Sequence, residues 1–467
     1  MTPGRTLIYA LAIGAMLVGW NGAFPLDDSY TVLHSARALL SGNFDHAYAT
    51  SPLTGATSSV HLALVAALGL ALPLPIASIA INALAALAYA LGLDRLVRQA
   101  GARGWQVPVL ALLGLGAGST PINLFNGLET GLAMATVAWL LALADDRRLP
   151  CLAGIAPFVR PELGVLSAAL LARRIWLQGQ AGQTAALALA GALPWLAWML
   201  VETGAPFPAT AEAKMAFFAE WATPLPIRLW TALAALATSA LLPFHAGLLG
   251  IGRVRAGWCG ALFVVAVLAV AALTLPSSLA WNYHRYLAVT VPVAIHGLAG
   301  FSRERIAPWA YGVLAAYALV NAPRAAIRLH RDQAGEARNL AAIAAAASRI
   351  APGATILTHD AGMIAWSHPE VRLVDAVGLK TPSSIAFHRR FTRASCRWER
   401  ALDGIARRGG ARYALLLQAP FWSCVGTSLD RAGWRLDPLA EAGPYRLYHL
   451  TAPHDANDQR DHRQDAK

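Results

Sequence analysis

Charged residues are scarce in this 467-residue sequence, where Asp, Glu, Lys and Arg together make up only 14% of the chain. Hydrophobic residues supply 56%. A soluble globular domain usually carries about 25% charged residues, so the composition argues against one. It indicates a polytopic integral membrane protein whose apolar segments are solvated mainly by lipid.

Several catalytic signatures are absent from the sequence. It contains no GxxxxGK phosphate loop and no HExxH zinc motif, which argues against nucleotide hydrolysis and zinc proteolysis. The four cysteines form no CxxC pair. Cys151 and Cys259 fall in apolar runs, whereas Cys396 and Cys424 both fall in the C-terminal region. The latter two form either a disulfide, in an oxidising periplasm, or two buried free thiols.

Apolar runs suited to crossing about 30 Å of hydrocarbon recur through the first two thirds of the chain. We identify eleven, at residues 6–24, 76–93, 107–121, 130–144, 150–160, 162–172, 184–201, 230–250, 257–275, 287–300 and 308–322. Pro73 and Pro75 interrupt a further run at 60–72, which we interpret as re-entrant or interfacial. If that run crosses the membrane instead, everything downstream is inverted. Residues 1–322 are therefore predicted to form an all-α membrane domain of about eleven spans.

Basic residues in short loops orient the chain, because such loops are retained in the cytoplasm. One side holds Arg5, Arg95, Arg98, Arg103, Arg147, Arg148, Arg173, Arg174, Arg253, Arg255, Arg303 and Arg305. Before the last span, the other side holds only Arg37, Arg160, Lys214, Arg228 and Arg285. The sequence thus predicts a bacterial inner-membrane protein with a cytoplasmic N-terminus and a periplasmic C-terminal domain. Basic residues directly after the last span argue against this orientation, namely Arg324, Arg328 and Arg331.

The sequence of residues 323–452 is typical of a small extracytoplasmic α/β domain. It predicts an Ala-rich helix at 338–350, a turn at Asp360 to Gly362, and strands at "ATILTH", "VRLVDAVG" and "RYALLLQ". The polar tail at 453–467 is predicted to be disordered. The formal net charge of +12 fits an anionic membrane surface better than nucleic acid.

Two adjacent carboxylates, Asp27 and Asp28, directly follow the first apolar run. A low-dielectric setting raises the pKa of a carboxylate and makes it a stronger general base. Neighbours on a helix point about 100° apart, so one of the pair should be the base and the other an orienting or metal-binding partner. Helix capping is the alternative, and it suits Asp28 better than Asp27.

A second polar cluster, "STPINLFNGLET", offers Asn126 and Glu129 on the same outer side. Glu129 either faces the same cavity as Asp27 or supplies a favourable charge at the start of the fourth span. Glu129 and Asp28 are the candidate ligands of a divalent metal ion.

Four basic side chains are predicted on the outer side: Arg160, Lys214, His284 and Arg285. Together they suit a phosphate, because arginine presents paired donors and lysine a point charge. Taken singly, each is more readily a snorkelling or loop residue. A carboxylate base with several cations suits transfer from a lipid phosphate, in which the base deprotonates an acceptor hydroxyl and the cations stabilise the departing phosphate.

Short segments spread over nearly the whole chain carry a family resemblance: "LDDSYTVLHSARALLSG", "GATSSVH", "NGLETGLAMA", "VRPELG", "PFPATAEAK", "HRYLAVTVP" and "DAGMIAWSHPEVRLVDAVGLKTP". These segments resemble the GT-C membrane glycosyltransferases that use polyprenyl-phosphate sugars, especially the arabinofuranosyltransferase-like, lipid A aminoarabinose and protein mannosyl transferase branches. The resemblance implies that Asp27 is the catalytic base with Asp28 beside it, and that Arg160, Lys214 and Arg285 contact the donor phosphate. It also implies a lipid-facing cavity and, in some branches, a divalent metal ion.

The sequence departs from the family pattern at Ala56, Ser59 and His61, where relatives carry Tyr, Pro and Trp. Thr57, Ser58 and His61 remain candidates for lining the substrate cavity. The predicted function is transfer of one sugar from a polyprenyl-phosphate donor to an extracytoplasmic glycan, lipid or protein. The alternatives are a transporter or flippase for lipid-linked sugars, which predicts charged residues near the membrane midplane and paired halves, and an inactive scaffold.

Overall fold

The computed structural model describes residues 3–351 and 353–453. The predicted disorder of the tail therefore falls, from residue 454 onward, outside the described residues. The chain divides into two compact units. Unit 1 comprises Met1–Pro25, Thr57–Phe207 and Leu225–Gln333, and unit 2 comprises Leu26–Ala56, Pro208–Pro224 and Ala334–Lys467.

The helices are numbered in chain order. They are α1 (Pro3–Leu17), α2 (Asp27–Leu40), α3 (Ser59–Gly69), α4 (Leu74–Gln99), α5 (Gln106–Gly116), α6 (Thr120–Leu124), α7 (Thr130–Ala142), α8 (Leu149–Val159), α9 (Leu163–Gln178), α10 (Ala181–Thr203), α11 (Thr210–Phe218), α12 (Leu225–Ala237), α13 (Leu242–His245), α14 (Gly257–Thr274), α15 (Trp281–Ala288), α16 (Val291–Ala299), α17 (Ala307–Ala347), α18 (Gly362–Ser367), α19 (Ser383–Phe391), α20 (Glu399–Gly409) and α21 (Ser423–Arg431). Short 3-10 segments lie at Glu220–Ala222, Ala246–Arg253 and Pro276–Ala280.

Unit 1 consists of packed apolar helices. Among the described residues, three helices are long and apolar enough to cross a membrane: α4, α10 and α14. A fourth arises if α12 and Leu242–Arg253, bent by 99° at their junction, count as one span. Shorter apolar helices are α1, α3, α5, α7 and α8. The mostly helical apolar architecture was predicted, whereas the number of eleven spans stays a prediction.

One long helix, α17, replaces two helices that the sequence had predicted separately at 308–322 and 338–350. It runs without a break from Ala307 to Ala347 and includes Pro323. Proline removes one backbone hydrogen bond within a helix, but the surrounding Ala-rich sequence strongly favours helix. The prediction of two separate helices was therefore wrong, and the division between the two units falls inside this helix.

Unit 2 is built on a five-stranded sheet, with strands β1 (Thr355–Thr358), β2 (Arg372–Asp375), β3 (Tyr413–Leu417), β4 (Arg435–Ala442) and β5 (Tyr445–Thr451). The order is β2-β1-β3-β5-β4. Strand β1 pairs in parallel with β2 and β3, whereas β5 pairs antiparallel with β3 and β4. The first three strands were predicted and the β4–β5 hairpin was not. Pro438 lies at a bulge in the edge strand β4, which is where a proline is tolerated in a sheet.

Two segments from early in the chain belong to unit 2, whereas the sequence had suggested a single division near residue 322. Helix α2 packs against α18, and α11 packs against α19. The backbone N–H of Leu373 donates to the carbonyl of Ala47 (2.8 Å), which adds the loop after α2 to the edge of the sheet at β2.

Aromatic packing and a disulfide stabilise unit 2. Phe217 stacks on the fully buried Trp398, with ring centroids 4.2 Å apart, and the Trp398 indole N–H donates to the Phe217 carbonyl (2.8 Å). Cys396 and Cys424 form a disulfide with a Cα–Cα distance of 5.2 Å. Cys151 and Cys259 are free thiols in unit 1.

Candidate functional site

The carboxylate of Asp27 contacts the start of another helix in unit 2. Helix α2 begins at Asp27, after the extended residue Leu26, so both aspartates lie in its first turn. The two oxygens of Asp27 accept hydrogen bonds from the backbone N–H groups of Gly362 (2.9 Å) and Met363 (2.7 Å). These groups open α18, and such N–H groups have no partner within their own helix. Asp27 thus caps α18, a helix about 335 residues further along the chain.

Gly362 allows this close approach. A Cβ atom at this position would overlap the backbone oxygen of Asp27 and lie 2.7 Å from the backbone nitrogen of Thr31. Only glycine therefore fits where the first turn of α18 meets the first turn of α2. No local pattern indicates this contact, although the segment containing Gly362 is among those that carry the family resemblance.

A second carboxylate, Asp360, acts on Asp27. Burial and the negative charge of Asp360 raise the pKa of Asp27 well above its ordinary value, and the backbone hydrogen bonds from α18 offset only part of this. Asp360 accepts a hydrogen bond from the Tyr445 hydroxyl (2.7 Å). Burial, followed by the charges of Asp360 and Asp27, raises the pKa of Tyr445, so Tyr445 stays a proton donor. The sequence predicts Asp360 only as a turn residue, so its effect on the pKa of Asp27 was not predicted.

A buried ion-pair network lies elsewhere in unit 2. The ammonium group of Lys380 lies 2.8 Å from Asp45 and donates to the Ser35 hydroxyl (3.1 Å), and His34 contacts the other oxygen of Asp45 (2.8 Å). Lys380 and Asp45 are both fully buried. Because each charge is paired, we interpret this network as the anchor that fixes α2 and the loop after it, which positions Asp27.

Lys214 lies on α11 of unit 2 and is partly exposed. Its helix is anchored by Ala213 and Ala216, which pack on Ile385, and by an ion pair between Glu212 and Arg389 (2.9 Å). Within residues 3–351 and 353–453, Lys214 itself forms no hydrogen bond or ion pair. Its charge is therefore available to an anion.

Arg160 is the centre of the polar cluster in unit 1. The residue before a proline is restricted to extended conformations, and Arg160, which precedes Pro161, ends α8 in that conformation. Its side chain is only 2% exposed. The Nε atom lies 2.7 Å from Glu162, and Nη1 lies 3.7 Å from Glu129. The two carboxylates compensate a guanidinium that would otherwise be costly to bury.

Tyr286 brings the two arginines of this cluster together. The guanidinium carbons of Arg160 and Arg285 lie 5.0 and 5.3 Å from the centre of its ring, within cation–π range. Sequence reasoning named both arginines and Glu129, but it missed Glu162 and Tyr286. Both stand inside the quoted segments "VRPELG" and "HRYLAVTVP", next to residues that were named.

A strained turn precedes Arg285. Asn282, Tyr283 and His284 all adopt left-handed backbone conformations, with φ between 48° and 64°. Such conformations cost of order 1–3 kcal/mol each and persist only where the surroundings enforce them. The carbonyl of Tyr283 accepts hydrogen bonds from Ser119 (2.6 Å) and Asn123 (2.9 Å), which hold the turn.

The remaining predicted cavity residues are Thr57, Ser58, His61 and Asn126, and two of them, Ser58 and Asn126, form hydrogen bonds that shape the local backbone. Ser58 caps α3 by accepting from the His61 backbone N–H (3.0 Å), and it donates to the Phe158 carbonyl (3.1 Å). Asn126 accepts from the Leu128 backbone N–H (3.0 Å) and so shapes the turn before Glu129. His61 is buried, and its Nε2 has no hydrogen-bond partner among the described residues. Thr57 is partly exposed.

The predicted metal ligands do not form a cluster among the described residues. Among the described residues, no group of three or more His, Cys, Asp or Glu side chains could hold a metal ion. Asp28 belongs to unit 2 and Glu129 to unit 1, where Glu129 is already paired with Arg160. Their role as metal ligands stays a prediction.

Comparison with known proteins identifies the fold. Residues 325–456 match a family described as a domain of unknown function, DUF8728. No curated protein sequence matches the chain. The chain is similar in structure to ArnT from Cupriavidus metallidurans in the apo state, with a TM-score of 0.57, 13% identity, and coverage of 97% of this chain and 98% of that one. For the same protein bound to undecaprenyl phosphate the TM-score is 0.54, with 12% identity and coverage of 95% and 97%.

The likeness covers both units of the chain and nearly all of ArnT. At this low identity it establishes the fold alone. The predicted resemblance to GT-C enzymes is therefore confirmed at the level of fold.

Proposed function

We propose that this chain is an integral membrane glycosyltransferase that moves one sugar from a polyprenyl-phosphate donor to an extracytoplasmic glycan, lipid or protein. The observation that carries the proposal is the full-length likeness to ArnT, one of whose structures holds undecaprenyl phosphate. Polar residues at membrane depth are costly and tend to be functional. The buried arginines of unit 1 fit this expectation.

Asp27 is the proposed general base, with Asp28 as its neighbour. It would take the proton of the acceptor hydroxyl while that oxygen bonds to the anomeric carbon of the sugar. The bond from that carbon to the phosphate oxygen breaks, and its electron pair leaves on the polyprenyl phosphate. A base is most effective when its pKa lies near the working pH. The raised pKa of Asp27 moves it in that direction from the ordinary range of an aspartate.

The cations Arg160, Lys214, His284 and Arg285 are proposed to bind the donor phosphate. Lys214 supports this best, because no described carboxylate neutralises it. Arg160 is paired with Glu129 and Glu162, so its charge is already compensated. Its cation–π contact on Tyr286, shared with Arg285, suits Arg160 to holding Arg285 in place. Thr57, Ser58, His61 and Asn126 are the proposed cavity lining.

The proposed location is the bacterial inner membrane, with eleven spans, a cytoplasmic N-terminus and a periplasmic C-terminal domain. The Cys396–Cys424 disulfide supports the periplasmic assignment, because disulfides persist in oxidising compartments. The proposed domains are 1–322 for the membrane domain, 323–452 for the α/β domain and 453–467 for the tail. Asp28 and Glu129 are retained as proposed ligands should a divalent metal be required.

The test uses host cells that lack the gene, complemented with wild type, Asp27→Asn or Asp437→Asn. Asp437 is a half-exposed residue of β4 that pairs with Arg435, so its variant removes the same charge from the same unit. The pools of polyprenyl-phosphate sugars and the surface glycans are measured. We expect Asp27→Asn to lower transfer by about 10²- to 10⁴-fold, the usual contribution of a general base, so that a lipid-linked sugar accumulates and one glycan residue disappears.

Asp27→Asn loses one acceptor for the N–H groups of α18, so its thermal unfolding is measured beside the activity. If the variant unfolds, the pH profile of the wild type decides instead. A base must be ionised, so activity should fall as the pH drops through the raised pKa of Asp27, at a higher pH than the ordinary value near 3.9 would give. A profile that falls only in the ordinary range of an aspartate, near 3.9, or full complementation by a folded Asp27→Asn, would refute the proposed base and favour a transporter or scaffold.

A further inference from the structure

A polar cavity lies in unit 1 among residues that no proposed catalytic role uses. Its volume is about 220 Å³. The polar side chains that line it are Arg95 and Gln99 of α4, Asp145 and Asp146 after α7, Arg255 before α14, and His296 of α16. We refer to it as the Asp145–Asp146 cavity.

The ion pairs at this cavity leave positive charge in excess. Asp145 pairs with Arg173 (2.6 Å) and Arg255 (2.9 Å). Asp146 pairs with Arg95 (3.2 Å) and Arg148 (2.8 Å). Each carboxylate can neutralise only one of its two guanidinium groups, so the equivalent of two positive charges remains. Arginine groups held in fixed positions suit a phosphate-type anion.

An unpaired polar group also lines the cavity. His296 is 2% exposed, and its Nδ1 is buried without a hydrogen-bond partner among the described residues. A buried polar atom without a partner is costly. A ligand with oxygen atoms in the cavity would relieve that cost.

Exposed tryptophans close in sequence to arginines are typical of the interface between membrane and water. Four exposed tryptophans follow arginines by two to four residues in the sequence: Trp105, Trp176, Trp258 and Trp309. Trp176 is 82% exposed. Tryptophan is enriched at the interface between membrane and water, and basic pockets between membrane helices bind anionic headgroups. The arginines of this cavity all belong to the set that the charge bias assigned to the cytoplasmic side.

We propose that the Asp145–Asp146 cavity binds the phosphoryl headgroup of an anionic phospholipid. The inference depends on the chain lying in a membrane and not on the transferase activity. The lipid phosphate would contact Arg95 and Arg255, and each carboxylate would keep its other arginine, Arg148 or Arg173.

The test measures lipid retained by the purified full-length protein, using native mass spectrometry after exchange into phosphatidylglycerol or phosphatidylcholine. The variant is Arg95→Gln with Arg255→Gln, which leaves Asp145 paired with Arg173 and Asp146 with Arg148. The matched control is Arg303→Gln with Arg305→Gln, which removes two exposed arginines outside the cavity lining. We expect wild type and control to retain phosphatidylglycerol in preference to phosphatidylcholine, and the cavity variant to bind it roughly 30-fold more weakly, from about 1 kcal/mol per arginine.

Three outcomes would overturn the proposal. Equal loss in the cavity variant and in the control would indicate a diffuse effect of surface charge. Unchanged retention in a cavity variant with wild-type thermal unfolding would exclude the site. Displacement of the lipid by millimolar inorganic phosphate would show that the cavity takes a free anion. If the cavity variant unfolds, Arg255→Gln alone decides in the same way, because Arg255 is largely exposed and Asp145 keeps Arg173.

Discussion

Arg160 of unit 1 and Asp27 of unit 2 are charged residues whose charges are compensated in opposite ways. In unit 1, Arg160 lies between Glu129 and Glu162, so unlike charges compensate one another. In unit 2, Asp27 is influenced by the like charge of Asp360, and its compensation comes from the backbone N–H groups that open α18. A compensated charge fixes geometry, whereas a carboxylate that is only partly compensated holds its proton to higher pH. The difference explains why unit 2 supplies the better candidate for proton transfer.

Removing the positive charge of Arg160, which pairs with two carboxylates of unit 1, should have the largest effect on stability. Arg160→Gln leaves Glu129 buried without its cation and takes the cation from Glu162, and breaking a buried ion pair costs about 3–5 kcal/mol. We expect a fall of several degrees in the thermal unfolding midpoint of the detergent-solubilised protein. The double variant Arg160→Gln with Glu129→Gln should recover part of the loss. A single variant as stable as wild type would show that the ion pairs of Arg160 do not stabilise unit 1.

Separating α18 from α2 should break the arrangement in unit 2. The methyl group of Gly362→Ala overlaps the backbone of Asp27, so the helices must move apart, at about 1–3 kcal/mol for an overpacked contact. Asp27 then loses the N–H groups that lower its pKa, so the pKa rises further and the pH profile of activity moves to higher pH. Gly426→Ala in α21, where a Cβ meets only side chains at 3.4 Å and beyond, is the control and should leave the profile unchanged. A profile that shifts equally in both variants would contradict this account.

The smallest effect is expected at the strained turn of unit 1. Ser119→Ala removes the hydrogen bond from the Ser119 hydroxyl to the Tyr283 carbonyl, worth about 1 kcal/mol, and leaves the one from Asn123. If the turn positions Arg285 for the donor phosphate, the KM for the donor should rise while kcat changes little. Thr231→Ala removes an exposed hydroxyl that donates to the Ile227 carbonyl within α12, so it serves as the control. A fall in kcat with unchanged KM would show that the turn does not serve donor binding.

Local sequence patterns predicted much of the fold, and their failures have physical causes. The apolar runs predicted the helices of unit 1, and period-two apolar patterns predicted β1, β2 and β3. The β4–β5 hairpin was not predicted because a proline within a run argues against a strand, and Pro438 lies in the edge strand β4. The prediction of two separate helices at 308–322 and 338–350 was wrong because the helix-forming residues around Pro323 outweigh one lost hydrogen bond.

The charged residues of the candidate site could be identified from the sequence, but the residues that they contact could not. Asp27, Arg160, Glu129 and Arg285 stand out because charged residues are rare beside apolar runs. No local pattern links Asp27 to Gly362, or Arg160 to Tyr286, because more than a hundred residues separate the members of each pair and only the folded chain brings them together.

The sequence by itself determined that the chain is apolar, mainly helical and closed by an α/β region, because composition and short-range periodicity express which residues can lie in lipid or in a core. Only the tertiary structure decided which charges meet. It assigned residues 26–56 and 208–224 to the unit of the C-terminal sheet, gave Asp27 the start of α18 as its partner, and left Lys214 unpaired among the described residues. Burial and charge pairing are properties of contacts between distant residues, and they determine the proton affinity of a carboxylate and the availability of a cation.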